Sequence, residues 1–177
     1  MSNWDDAFKL MLKSEGGFSD DPRDNGNKLP DGRAGSTMLG VTQYNWEHWI
    51  GHEVTHDQMQ KLKPEDVKPF YKKKYWDAVC ADELPNGISY LVFDFAVNAG
   101  VGRAIKTLQT AVDATSDGWF GPATMAAVNA LNPHELIERF SKAKEDFYRG
   151  LKDFNVYGEG WMNRVADVKE KATAMVA

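Results

Sequence analysis

The chain has 177 residues, 21 Lys+Arg against 26 Asp+Glu for a formal charge of −5, 42% hydrophobic residues and a single cysteine. That apolar content with nearly balanced charge excludes disordered, collagen-like and disulfide-knit classes, and Cys80 has no partner for an intramolecular disulfide. An acidic balance argues against a nucleic-acid partner, which would call for a basic stripe; the one dense basic cluster, Lys72-Lys73-Lys74, is expected to be a solvated helix face. The N-terminal Met-Ser-Asn-Trp-Asp-Asp lacks a basic n-region, and the most apolar run, Tyr90 to Ala99, is broken by Asp94 and Asn98. Neither a signal peptide nor a membrane span is therefore expected.

The pattern is helical from end to end. Trp4, Phe8, Met11, Leu12 and Glu15 share one helical face, and Gly16-Gly17 stops that helix. From Phe18 to Thr42 the composition turns to Asp, Pro, Gly, Asn and Ser, which predicts a long loop with a small hairpin. Pro64-Glu-Asp opens a helix with an apolar face at Val67, Phe70, Tyr71, Tyr75 and Val79. Ile88 to Ala99 is apolar nearly all round, the mark of a buried central helix, and Gly100 and Gly102 end it. Ala104, Ile105, Leu108, Ala111 and Val112 give the next amphipathic helix, and the turn Asp117 to Pro122 feeds a short helix through Leu131. Asn132-Pro133 caps and opens a helix burying Leu136, Ile137, Phe140, Phe147 and Leu151, and a last helix is expected over Trp161 to Ala174.

Glu15 is out of place in this scheme. Turning the helix by about 100° per residue sets its carboxylate in the middle of the apolar stripe, and near the negative end of the helix dipole. Both effects favour the protonated form that a general acid needs near neutral pH, whereas a side chain bent back to solvent would make it an ordinary surface Glu. The turn-rich segment that follows supplies Asp20, Asp21, Asp24 and Asp31. Glycoside hydrolysis uses such a carboxyl pair, one to protonate the leaving oxygen and one to activate water or steady the oxocarbenium-like transition state.

Ser14-Glu15-Gly16-Gly17-Phe18, Asp21-Pro22, Gly35-Ser36-Thr37 and Gly40-Val41-Thr42 resemble the N-terminal pattern of the glycoside hydrolase family 108 muramidases, which phages use as endolysins. Tyr71 with Tyr75-Trp76-Asp77, and Asp94 through Asn98 to Gly100, are similar to that family's later motifs. Leu108-Gln109, Asp117 to Thr124 and Gly160 to Arg164 resemble its peptidoglycan-binding C-terminal region. The resemblance implies an all-α, lysozyme-like globule with a loop or hairpin lobe at residues 18–42. It also implies a catalytic region at 1–97 and a wall-binding region at 98–177, packed as one unit. Implied too are hydrolysis of the β-1,4 bond between N-acetylmuramic acid and N-acetylglucosamine, and Glu15 as the catalytic acid.

Residues 25–34 depart from the family's short run and resemble an insertion, so the second carboxylate stays open between Asp24, Asp21 and Asp31. Asp24 lies nine positions after Glu15, similar to the spacing of phage lysozymes, and either Thr37 or Thr42 is available to hold the water. Asp24 and Thr42 are taken as catalytic partners of Glu15, and Asn98, Thr37 and Tyr44 as substrate contacts. Asp94 and Asn98 fit either a satisfied buried network or a cleft floor. Trp46, Trp49, Trp76, Trp119 and Trp161 are mostly expected in the core, with one or two lining a cleft. His52-Glu53-Val54-Thr55-His56 matches H-E-x-x-H, but Gly51 precedes it and Thr55 and Asp57 read as caps of a helix starting near Gln58. No metal or other cofactor is expected. The expected partner is bacterial peptidoglycan, bound by a monomer without nucleic acid or stable membrane insertion, made in the cytoplasm of a host cell and released to the wall.

Overall fold

The computed structural model describes residues 3–176. Its elements are α1 (Asn3–Ser14), β1 (Thr37–Met38), β2 (Val41–Thr42), α2 (Gln43–Ile50), α3 (His56–Gln60), α4 (Pro64–Tyr71), α5 (Ile88–Ala99), α6 (Val101–Ala111), α7 (Pro122–Asn129), α8 (Pro133–Arg149) and α9 (Phe154–Met175). The fold is all-α with one two-stranded antiparallel hairpin. The chain divides into two compact units, Phe8–Lys74 and Met1–Ala7 with Tyr75–Ala177.

In the larger, helical unit α5 is the central element. Ile88 through Ala96 are all buried, because this run has no polar face to turn outward. It packs against α6, α8 and α9. Phe95 meets the rings of Phe140, Phe147 and Tyr148 edge-on at 5.6–5.9 Å between centroids, and Trp4, Trp76 and Phe93 form a second aromatic cluster. Two charged groups from α5 and α9 pair within this unit: Asp94, 1% exposed, accepts from Arg164 at 2.9 Å. Lys144, 2% exposed, lies over the Phe95 ring, and burial lowers its pKa to about 8.

The smaller unit carries the hairpin, α2 to α4 and the C-terminal half of α1. Phe8, Phe70 and Tyr71 pack ring on ring, with Trp46 and Trp49 against Phe70. Thr42 caps α2 by accepting from the Asn45 N–H, and Thr55 and Gln58 close a reciprocal capping box on α3.

Several sequence expectations are corrected. Residues 43–50 form a helix that the aromatic and polar mixture did not announce. The last helix begins at Phe154, seven residues early, because Gly158 does not break it: a Cβ there would strike the Phe154 ring at 2.7–2.8 Å, so the absent side chain makes room for an aromatic one turn back. Phe147 is only half-buried, and Leu151 lies beyond α8 at 36% exposure. The helix opened by Pro64 passes at Lys72 into a π-type turn over Lys72–Trp76 instead of running straight to Val79. Cys80 is half-buried in a left-handed backbone conformation (φ 55°), its thiol pKa raised by burial and by Glu83 and Asp77.

Candidate active site

Helix α1 ends at Ser14, so Glu15 stands one residue past its last turn and is half-buried, not buried in the apolar stripe that a continued helix would give it. Its N–H still bonds to the Leu12 carbonyl at 3.2 Å. Its side chain lies against the β1–β2 hairpin. The pairs Thr37↔Thr42 and Met38↔Val41 leave Leu39 and Gly40 as a two-residue turn, with φ of 52° and 79°. Positive φ at both central positions is the hairpin turn whose twist matches its strands, and it favours glycine. A Cβ at Gly40 would lie 2.6 Å from the Tyr71 hydroxyl oxygen, 2.9 Å from Glu15 Oε2 and 3.0 Å from Glu15 Cγ. Two polar side chains therefore converge where a side chain at position 40 would otherwise be. Tyr71, 2% exposed, donates its O–H to the Leu39 carbonyl at 2.7 Å and so ties the turn to α4.

The other end of the hairpin gathers three of the expected residues. Asp24 is exposed, and its Oδ1 accepts from the Gly26 N–H at 2.9 Å, capping a short 3-10 turn over Asn25–Asn27. Asp24 Oδ1 and Thr42 Cγ2 both lie 3.3 Å from the position a Cβ would take on Gly26. Thr37 donates to Asn27 Oδ1 at 2.7 Å, and Asn27, 2% exposed, donates to the Asp21 carbonyl at 3.0 Å. Gly40 and Thr42 are two residues apart, about 7 Å of extended chain. Tyr44, 40% exposed on the first turn of α2, lies against His48 with ring centroids 4.2 Å apart. Asn98 belongs to the helical unit, where its amide donates to the Tyr148 hydroxyl.

Of the other carboxylates, Asp21 grips Arg23 through both oxygens and Asp31 binds the Arg33 backbone N–H and Nε. Hydrogen bonds from Arg23 and from Arg33 hold both acids below the ordinary carboxylate range. The sequence reading missed Glu47. Side-chain exposure there is 9%, and its two oxygens take a forked pair of bonds from Arg33 at 2.6 and 3.2 Å, with a further bond from the Val54 N–H at 3.0 Å. The Arg33 bonds are the main cause of a pKa lowered to about 2, against which burial acts. Glu47 thus clamps the excursion 25–34 onto α2. Its signal in the sequence was Gln43 and Glu47 one turn apart in a helix that itself went unrecognised. His52 and His56 do not share a helix face: residues 51–55 lie between α2 and α3, His52 bonds the Glu53 carbonyl, and His56 reaches the Ala34 carbonyl at 3.0 Å.

The profile of the family described as glycosyl hydrolase 108 matches residues 8–100, and that of a predicted peptidoglycan domain matches residues 103–166. A solved structure titled "Structure of Brucella abortus SagA" superposes with a TM-score of 0.83 at 31% sequence identity, over 97% of this chain and 94% of that one. No curated protein matches the sequence significantly. With more than half its length under the first profile and nearly all of it superposable on a relative, this chain belongs to the glycosyl hydrolase 108 family and is a glycosidase that acts on peptidoglycan.

Proposed function

We propose that the protein is an N-acetylmuramidase that hydrolyses the β-1,4 bond between N-acetylmuramic acid and N-acetylglucosamine, with Glu15 as general acid. The observation that carries this reading is the placement of the Glu15 side chain against Gly40, at the hairpin turn that the Tyr71 hydroxyl ties to α4. Glu15 gives its proton to the glycosidic oxygen as the C1–O bond of the muramic acid breaks. A water bonds to C1 and passes a proton to the second carboxylate. Asp24 is the candidate for that role. Asp21 and Asp31 are committed to guanidinium groups, whereas Asp24 uses one oxygen on its own backbone turn; Thr42 is the residue proposed to orient the water. Thr37 and Tyr44 supply sugar contacts in this reading.

Replacement Glu15→Gln tests it. Lysis of permeabilised cells is expected to fall by at least about a thousandfold with the melting temperature unchanged, and unimpaired lysis would sink the assignment. Mass spectrometry of the digested wall is expected to show reducing ends; 1,6-anhydro ends would make the enzyme a lytic transglycosylase instead. Among the described residues no helix is long and apolar enough to cross a membrane. We also propose that it serves as an endolysin released to the wall through a separate pore: expression alone should leave cells intact, and co-expression with a pore-forming protein should lyse them.

A further inference from the structure

Trp119 is 69% exposed, yet its surroundings hold it still. Asp117 Oδ1 accepts from the Trp119 N–H at 2.9 Å. Gln109, 1% exposed on α6, donates to the Trp119 carbonyl and accepts from the Gly118 N–H, both at 2.9 Å. The backbone on both sides of the tryptophan is thus tied to one buried amide. The indole lies on Gly121, where a Cβ would stand only 2.5–2.9 Å from three atoms of the six-membered ring. One face of the ring is therefore covered by backbone, and the other is left to water. Burying an indole stabilises a fold, so a fixed loop that keeps one exposed gives up that gain. Beside it opens a cleft of about 450 Å³ lined by Asp113, Thr115, Asp117, Trp119, Gly121 and Thr124, a size typical of small-ligand sites.

We infer that this cleft is a second glycan contact, in which the open face of Trp119 stacks on one N-acetylhexosamine ring of the wall while Asp113, Asp117 and the threonine hydroxyls bind its hydroxyl groups. A pyranose has an apolar C–H face and a hydroxyl rim, and the cleft offers an aromatic plate beside a row of acceptors. Two carboxylates in the lining disfavour phosphate-rich polymers and leave a neutral sugar as the matching partner. Arg139, which pairs with Asp113 at 3.1 Å, holds that acid in place. The inference rests on the reading of the wall glycan as substrate, and it assigns Trp119 to holding the strand, not to breaking it.

The test is cosedimentation of full-length protein with purified sacculi, run in parallel with hydrolysis of a soluble muramyl oligosaccharide. Trp119→Ala should weaken sedimentation at least about tenfold with the turnover of the soluble substrate unchanged. Trp119→Phe should keep most of the binding. Gly121→Ala, which pushes the ring off its seat, should weaken it nearly as much as Trp119→Ala. A tetramer of N-acetylglucosamine should compete, and glycan strands stripped of stem peptides should still bind. Wild-type sedimentation by Trp119→Ala, or loss of all binding on removal of the peptides, would overturn the inference. Lytic activity in Glu15→Gln would overturn the catalytic assignment alone and leave the sedimentation result standing.

Discussion

A methyl group at Gly40 would enter space already held by the Tyr71 hydroxyl and the Glu15 side chain, at a backbone φ of 79° that costs an L-residue about 1–2 kcal/mol. Gly40→Ala is therefore expected to lower stability by that amount in urea unfolding and to lower lytic activity more than tenfold, because the added carbon displaces the acid. Tyr71→Phe is the milder probe. It removes the hydrogen bond to the Leu39 carbonyl, worth about 1 kcal/mol, and is expected to reduce kcat several-fold with the wall affinity in sedimentation unchanged. At this scale the helical geometry expected for Glu15 does not hold. The apolar stripe pointed to it, but the helix stops one residue short, and its side chain lies instead against a glycine 25 positions later that the sequence offered only as part of a motif.

Elements bounded by strong local signals were legible, and those made by distant partners were not. Helix α5 runs over the expected Ile88 to Ala99 because its apolar run is flanked by glycines, and α8 starts at its Asn132 cap as read. The segment 25–34 was visible only as an interruption, since the clamp that orders it joins Arg33 to a glutamate 14 residues away. That clamp has a pH signature. The Glu47 carboxyl is held at about 2 against an ordinary value of 4.5, so its contribution is complete above about pH 5 and is lost as pH falls towards 2. Because Arg33 is a third exposed, solvent screening leaves only part of that shift as stability. Urea unfolding between pH 5 and pH 2.5 should show this slope in the wild-type protein and a shallower one in Glu47→Gln. In the helical unit the opposite substitution logic applies: Lys144 is buried at a cost that lowers its pKa to about 8, and Lys144→Met is expected to raise the unfolding free energy by about 1–2 kcal/mol.

On the scale of the whole molecule, the two family matches and the two compact units divide the chain differently. The hydrolase match ends at residue 100, and the peptidoglycan match begins at 103. Yet α5, which lies inside the first match, packs against α6, α8 and α9 beyond that boundary as well as against residues 81–83 within it. Cutting there exposes a helix with nine consecutive buried residues and separates Asp94 from Arg164. A fragment of residues 1–100 is accordingly expected to show no cooperative thermal transition by circular dichroism, whereas two independent domains would each melt. Exposure of Trp119 has an optical consequence as well. Trp4, Trp46 and Trp76 are buried and Trp49 and Trp161 half-buried, so an aqueous quencher such as acrylamide reaches the Trp119 indole first. Native emission is therefore expected to contain a red-shifted, readily quenched component from Trp119, an unlabelled reporter of whatever covers that ring.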